Sequence, residues 1–159
     1  MLRNKYYRCD CAAVCPEEDE LGEVDSAIEE IQAGRKDVLC GLHLICCCCK
    51  ICEGANKLER GICKIEKGLD NLIEGLRCVE FQCDCRNNSN IRDGVCGVKE
   101  ANQTLKRALC QLRNCCLCDA IENIQCGLCE LDESLCKLIK GIEDIRNETD
   151  DKRRRGKCC

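Results

Sequence analysis

The sequence predicts an all-α fold, a four-helix bundle made of two duplicated αα-hairpins with cysteine clusters at both ends. Three observations carry this prediction. Aliphatic residues recur at alternating steps of four and three through most of the chain, as in helices packed at coiled-coil-like angles. A unit of about seventy residues occurs twice, so one supersecondary element has been duplicated. The 159 residues also include one proline, Pro16, and three aromatic residues, Tyr6, Tyr7 and Phe81. That composition leaves long helices unbroken and gives a β-sheet little to pack with.

Residues 1–15 read as a cysteine-containing N-terminal arm with Cys9, Cys11 and Cys15. The first hairpin repeat spans 16–82. Pro16, followed by Glu17, Glu18, Asp19 and Glu20, suits a first helical turn, where a missing N–H costs nothing and the macrodipole favours negative charge. Leu21, Val24, Ile28, Ile31, Val38, Leu42 and Ile45 mark the apolar stripe of the first helix, and Cys46-Cys47-Cys48-Cys49 its turn, with Cys52 just beyond. Leu58, Ile62, Ile65, Leu69, Leu72, Leu76 and Val79 mark the second helix. A linker at 83–90 holds Cys83 and Cys85 and ends in Arg86-Asn87-Asn88-Ser89-Asn90, the one run of polar turn-forming residues.

The second repeat spans 91–148, and its turn carries Cys115, Cys116 and Cys118. Asp119 with Glu122 reads as a capping box that opens the last helix. Leu117, Ile121, Ile124, Leu128, Leu131, Leu135, Leu138, Ile142 and Ile145 give that helix its stripe. Residues 149–159 read as a flexible basic tail ending in Cys158-Cys159.

The duplication rests on particular residues. Residues 58–72, LERGICKIEKGLDNL, align with 131–145, LDESLCKLIKGIEDI, at an offset of 73. Val38-Leu39-Cys40-Gly41-Leu42 aligns with Ala108-Leu109-Cys110-Gln111-Leu112 at an offset of 70. An aromatic residue and Cys-Asp-Cys precede each half, as Tyr7 with Cys9-Asp10-Cys11 and as Phe81 with Cys83-Asp84-Cys85. Gly54, Gly61, Gly68 and Gly75 recur every seven residues beside the apolar seam, with Gly34, Gly41, Gly127 and Gly141 at equivalent places. A helical glycine costs roughly 1 kcal/mol relative to alanine, so a row of them needs a compensating gain. The gain expected is close approach of a neighbouring backbone. Faces carrying the glycine row and its flanking cysteines are expected to dock on other subunits.

A net charge of −4 offers nucleic acid no electrostatic attraction. The one basic run, Lys152 to Arg155, sits behind Asp150 and Asp151 and reads as solvated. No stretch is apolar and long enough for a membrane span, and the first residues lack the apolar core of a secretory signal. Synthesis in a reducing cytosol is therefore expected, with disulfides forming later. There are 23 cysteines, an odd number, so at least one sulfur stays free or pairs outside the chain.

Three chemistries compete for these thiols. In the first, Cys9, Cys11, Cys15, Cys83, Cys85, Cys158 and Cys159 at one end, and Cys46, Cys47, Cys48, Cys49, Cys52, Cys115, Cys116 and Cys118 at the other, cross-link neighbouring subunits. Each bridge needs Cα atoms about 4.4–6.8 Å apart, so ordered packing comes first and oxidation locks it. In the second, Cys46, Cys49, Cys52, Cys115 and Cys118 hold zinc or Cu(I), the metals that thiolates suit, and the chain is a helical metal-binding or storage protein. The aliphatic seam argues against metal in the bundle core, leaving only Cys48, Cys83, Cys115 and Cys116 near it. In the third, a cysteine is a catalytic nucleophile. His43 is the only histidine, no nucleotide fingerprint is present, and no enzyme activity is expected. Cross-linking is the reading adopted: a structural protein, a homo-oligomer or lattice, requiring no cofactor.

Cys46-Cys47-Cys48-Cys49, Cys115-Cys116-Leu117-Cys118, the terminal Cys158-Cys159 and the missing export signal together resemble the cysteine-rich coat and exosporium morphogenetic proteins of clostridial endospores. The resemblance implies synthesis in the mother cell and self-assembly on the spore surface beside other cysteine-rich spore-surface proteins. It further implies a disulfide-hardened outer layer, in some members a two-dimensional lattice. Low-complexity and histidine-rich stretches common in that family are absent from this sequence, so it does not choose between coat and exosporium.

Overall fold

The computed structural model describes residues 18–80 and 88–156. They form an all-α four-helix bundle of α1 Glu18–Cys48, α2 Ile51–Glu80, α3 Ser89–Arg113 and α4 Leu117–Arg154, with no strand among the described residues. α1 packs on α2 and α3 on α4, and lesser contacts of α2 with α3 and of α1 with α4 close the ring. Connections of two and three residues make each hairpin antiparallel. Both turns therefore lie at the same end of the bundle.

Alternation of small and large side chains sets the packing within each hairpin. In the first, Val24 faces Gly75, Ile31 faces Gly68, Ile65 faces Gly34, Val38 faces Gly61, Leu58 faces Gly41 and Ile45 faces Gly54. The same register sets Leu72 opposite Ala27, both buried. In the second, Ile91 faces Gly141, Leu138 faces Gly94 and Leu105 faces Gly127. Between and beyond these, the register sets Val98 opposite Ser134, Leu131 opposite Ala101, Ile124 opposite Ala108 and Leu112 opposite Ala120, all buried. Each layer holds one bulky and one small residue.

The backbones come into direct contact at the glycines. A Cβ at Gly34 would lie 2.7 Å from the carbonyl oxygen of Gly61, and one at Gly61 would lie 2.6 Å from that of Gly34. Gly41 and Gly54 repeat the arrangement, each 2.8 Å from the other's carbonyl. The dispersion attraction between helices packed this closely offsets the helical cost of these glycines. Gly54, Gly61, Gly68 and Gly75 are thus buried inside their own hairpin. The expected docking of this row on other subunits is corrected, because the partner helix already covers it.

The layers also correct the register of the repeat. Ile91 takes the place of Val24, 67 residues on, and Gly141 that of Gly75, 66 residues on. The sequence offset of 73 for the later helices is one heptad too long, and that of 70 for the earlier ones is three residues too long. Helices built on heptads resemble themselves at every seven-residue shift. Where the turns fall decides among the alternatives.

Helix boundaries depart from the sequence expectations at three places. α3 begins at Ser89, inside the expected linker, because Asn88 caps it. The Asn88 carboxamide oxygen accepts from the Ile91 N–H at 3.3 Å while its nitrogen donates to the Gly141 carbonyl at 3.2 Å, so one side chain both starts α3 and clips it to α4. α4 begins at Leu117 with Cys116 at the N-cap, and no side chain caps it. Asp119 lies in the first turn instead, where its charge suits the macrodipole. Leu117 is half-buried against the core, which draws the helix start ahead of Asp119. α4 then runs on to Arg154, past residue 149 where the tail was expected. Thr149 is buried and its hydroxyl donates to the Ile145 carbonyl at 2.9 Å.

Both turns place a cysteine in the left-handed region, Cys49 at φ 53° and Cys115 at φ 61°. At the second turn the Cys116 N–H donates to the Gln111 carbonyl at 2.9 Å and the Cys115 N–H to that of Leu112 at 3.2 Å, a Schellman motif. At the first turn the Lys50 N–H reaches the Leu44 carbonyl at 3.0 Å. Glycine is the usual residue in such a motif, and a side chain there costs roughly 1–2 kcal/mol.

Ile28, Ile62, Leu69, Leu76, Leu109, Leu128, Leu135 and Ile142 are buried outside the hairpin layers and complete the core between the hairpins. Asn102 is buried with them, and its side-chain oxygen has no hydrogen-bond partner among the described residues. Charged pairs border this interior. Arg35 pairs with Asp132 and Arg146 with Asp25 across α1 and α4, while Lys106 meets Glu66 at 2.8 Å and Arg113 meets Glu59 at 2.9 Å across α2 and α3. Within the first hairpin, Lys64 lies 2.7 Å and Lys57 3.7 Å from the Asp37 carboxylate. The Lys64 contact holds that carboxyl below its ordinary range.

Candidate functional site

Cysteine is usually among the most buried residue types. Here Leu, Ile, Val, Ala, Gly and a single Ser fill the layers, and every described cysteine whose surroundings are defined is an exposed free thiol. Cys46, Cys47, Cys48, Cys49 and Cys52 surround the α1–α2 turn, and Cys115, Cys116 and Cys118 surround the α3–α4 turn. Cys48, Cys115 and Cys116, which the sequence allows near the seam, are exposed as well. Cys40, Cys63, Cys96, Cys110, Cys126, Cys129 and Cys136 stand along the outer surfaces of the helices. Cys9, Cys11, Cys15, Cys83, Cys85, Cys158 and Cys159 lie outside the described residues.

The antiparallel topology brings two of the predicted groups to one end of the bundle. It does not gather them into a ligand set. Among the described residues, no three His, Cys, Asp or Glu side chains form a group able to hold a metal ion. That covers Cys46, Cys49, Cys52, Cys115 and Cys118, the five cysteines the sequence favours for zinc or Cu(I).

Two features escape a reading of cysteine spacing alone. Cys126 Sγ donates to Glu130 at 3.5 Å, one helical turn on, and this hydrogen bond, with the nearby negative charge, raises the Cys126 pKa. Thr104 donates to the other oxygen of the same carboxylate at 3.1 Å. The i,i+4 spacing was the available signal. A raised pKa leaves less of the reactive thiolate at a given pH and moves its appearance to higher pH. Glu130→Gln is therefore expected to speed alkylation of Cys126 at pH 8 several-fold, measured by peptide mass spectrometry with Cys63 as internal reference. An unchanged ratio of the two rates would remove Glu130 from the account.

The second feature is a shallow groove of about 610 Å³ along α1, bordered by Lys36, Leu39, Cys40, Leu42, His43, Cys46, Cys47 and Gln125. Leu39, at 46% exposure, is the most exposed large hydrophobic among the described residues. His43 thus lies on a surface with thiols one turn before and one turn after it, rather than inside the bundle.

No family model, characterised protein or solved structure matches this chain. No helix among the described residues is long and apolar enough to cross a membrane.

Proposed function

We propose that this chain is a non-enzymatic structural protein that self-assembles and is then hardened by disulfides between subunits. The observation that carries this reading is the separation of sulfur from the interior: the aliphatic layers close without it, and the described thiols whose surroundings are defined are exposed. A disulfide inside a small domain typically adds about 2–4 kcal/mol by constraining the unfolded chain. Thiols arranged around an already close-packed bundle serve contacts with other molecules instead.

Position adds a second argument. α2 contains 30 residues, about 45 Å at 1.5 Å per residue. On the same scale Cys96 and Cys136, well along α3 and α4 from the turns, lie far outside bridging distance of the turn thiols. Bonds between these two and the turn thiols would join different subunits. Copies of this chain and other cysteine-rich proteins are the partners, and the resemblance to clostridial coat and exosporium proteins supports a layer on the spore surface as the location. No cofactor is required. Zinc or Cu(I) on exposed turn thiols is the alternative, which would make the chain a metal-binding protein.

Denaturing electrophoresis of the oxidised protein with and without reductant, with elemental analysis of the same sample, tests the reading. Ladders of high order that collapse to monomer on reduction are expected. A monomer in both lanes carrying several equivalents of zinc or copper would replace cross-linking by metal binding.

A further inference from the structure

The two hairpin turns share more than an abundance of cysteine. Superposed on their left-handed residues, Cys49 matches Cys115, and the cysteine three positions later, Cys52, matches Cys118. Cys52 and Cys118 each stand at the second residue of the following helix. The other turn thiols have no counterpart. Leu112 holds the layer position of Ile45, so Cys46, Cys47 and Cys48 stand against only Arg113 and Asn114, and Cys116 aligns with Lys50. One pair of thiols therefore recurs in both halves while their neighbours differ.

The first member of each pair also sits where glycine would relieve the backbone, in a chain that uses 12 glycines elsewhere. A thiol is kept there twice against that preference. All four sulfurs are exposed and unpaired. Residues 46–53 are exposed throughout, so the first turn can adjust without disturbing a packed layer; at the second, 113–116 and Cys118 are exposed and Leu117 alone, half-buried against the core, has to move with the turn.

We propose that Cys49 with Cys52, and Cys115 with Cys118, are paired dithiols that carry out thiol–disulfide exchange with an incoming disulfide. The thiolate of one member attacks the incoming disulfide. The old S–S bond breaks, one thiol departs as its thiolate and takes up a proton, and a mixed disulfide remains. The second member, as its thiolate, then attacks the pair's own sulfur in that mixed disulfide and expels the second thiol. Two electrons pass from the dithiol to the incoming disulfide, two protons end on the two released thiols, and the turn is closed. In the layer proposed above, on which this last step rests, a thiolate of a neighbouring subunit attacks the closed turn. A bond forms between subunits, the bond within the turn breaks, and the freed cysteine is protonated. Cross-linking at that point needs no further oxidant.

The reduced full-length protein, dilute and monomeric, is incubated with excess oxidised glutathione, quenched with acid and mapped by peptide mass spectrometry. Each turn pair is expected to lose two hydrogens and retain no glutathione, while the solitary Cys63 and Cys136 keep the adduct. Cys52→Ser and Cys118→Ser are expected to strand glutathione on Cys49 and Cys115, with the circular dichroism spectrum unchanged. Separate adducts on both members of a pair, or closure of Cys49 onto Cys46, overturn the proposal. Concentrated samples tell the two readings apart. Closed turns without reducible ladders overturn the layer and leave the exchange site standing, whereas ladders without closed turns overturn the exchange site alone.

Discussion

Replacing Gly61 with alanine is expected to destabilise the bundle by about 1–3 kcal/mol, the usual cost of overpacking. Helix propensity acts in the opposite direction by about 1 kcal/mol. Packing wins because the new methyl would sit 2.6 Å from the Gly34 carbonyl oxygen and 2.9 Å from the Val38 amide nitrogen, both main-chain atoms. Those atoms retreat only if α1 and α2 separate, which loosens the neighbouring layers as well. Gly22 is the control. A Cβ there meets nothing within 4 Å, so Gly22→Ala is expected to stabilise by up to about 1 kcal/mol. Urea unfolding under reducing conditions measures both. Shortening the opposing side chain should not rescue the loss: Gly61→Ala is expected to remain costly in a Val38→Ala background. Equal stability of the Gly61 and Gly22 variants would mean that the backbones are not in contact.

Asn102→Leu is expected to act in the other direction, stabilising the monomer by about 1–3 kcal/mol. Asn102 is 5% exposed in α3, and its carboxamide oxygen lacks a hydrogen-bond partner among the described residues. A buried acceptor left unpaired bears its full desolvation penalty, which a leucine of similar volume removes. The gain should come with a loss of definition. Two heptad-patterned hairpins fit at more than one axial offset, and a buried polar side chain is a known device for penalising the wrong ones. The variant is therefore expected to unfold at higher urea with a less cooperative transition. A midpoint that stays put or falls would show that the Asn102 carboxamide is satisfied in solution.

The architecture was legible because its determinants are periodic. Leu58, Ile62, Ile65, Leu69, Leu72, Leu76 and Val79, chosen by step alone, are all buried in α2. The same periodicity blurred the register. A row such as Gly127, Ser134 and Gly141 matches Gly54, Gly61 and Gly68 in one alignment, and Gly61, Gly68 and Gly75 in another. Only the turn positions, which depend on contacts distant in sequence, separate the two. Capping misleads for a related reason. Asp119 has the right chemistry and spacing for a cap, but the Schellman motif at Cys115 and burial at Leu117 place the helix start earlier. The left-handed cysteines were hidden because nothing in the local sequence marks them. Glycine or asparagine is the expected sign of that conformation, and the one asparagine nearby, Asn114, stands a residue too early.

Interlocked main chains have a mechanical consequence. Where one helix rests on the peptide groups of the other at Gly34, Gly41, Gly54 and Gly61, no pliable side-chain cushion lies between them to be squeezed or sheared. Each hairpin should behave as a stiff strut. Whatever fabric is woven from such struts would flex at its joints, leaving the members themselves straight under load.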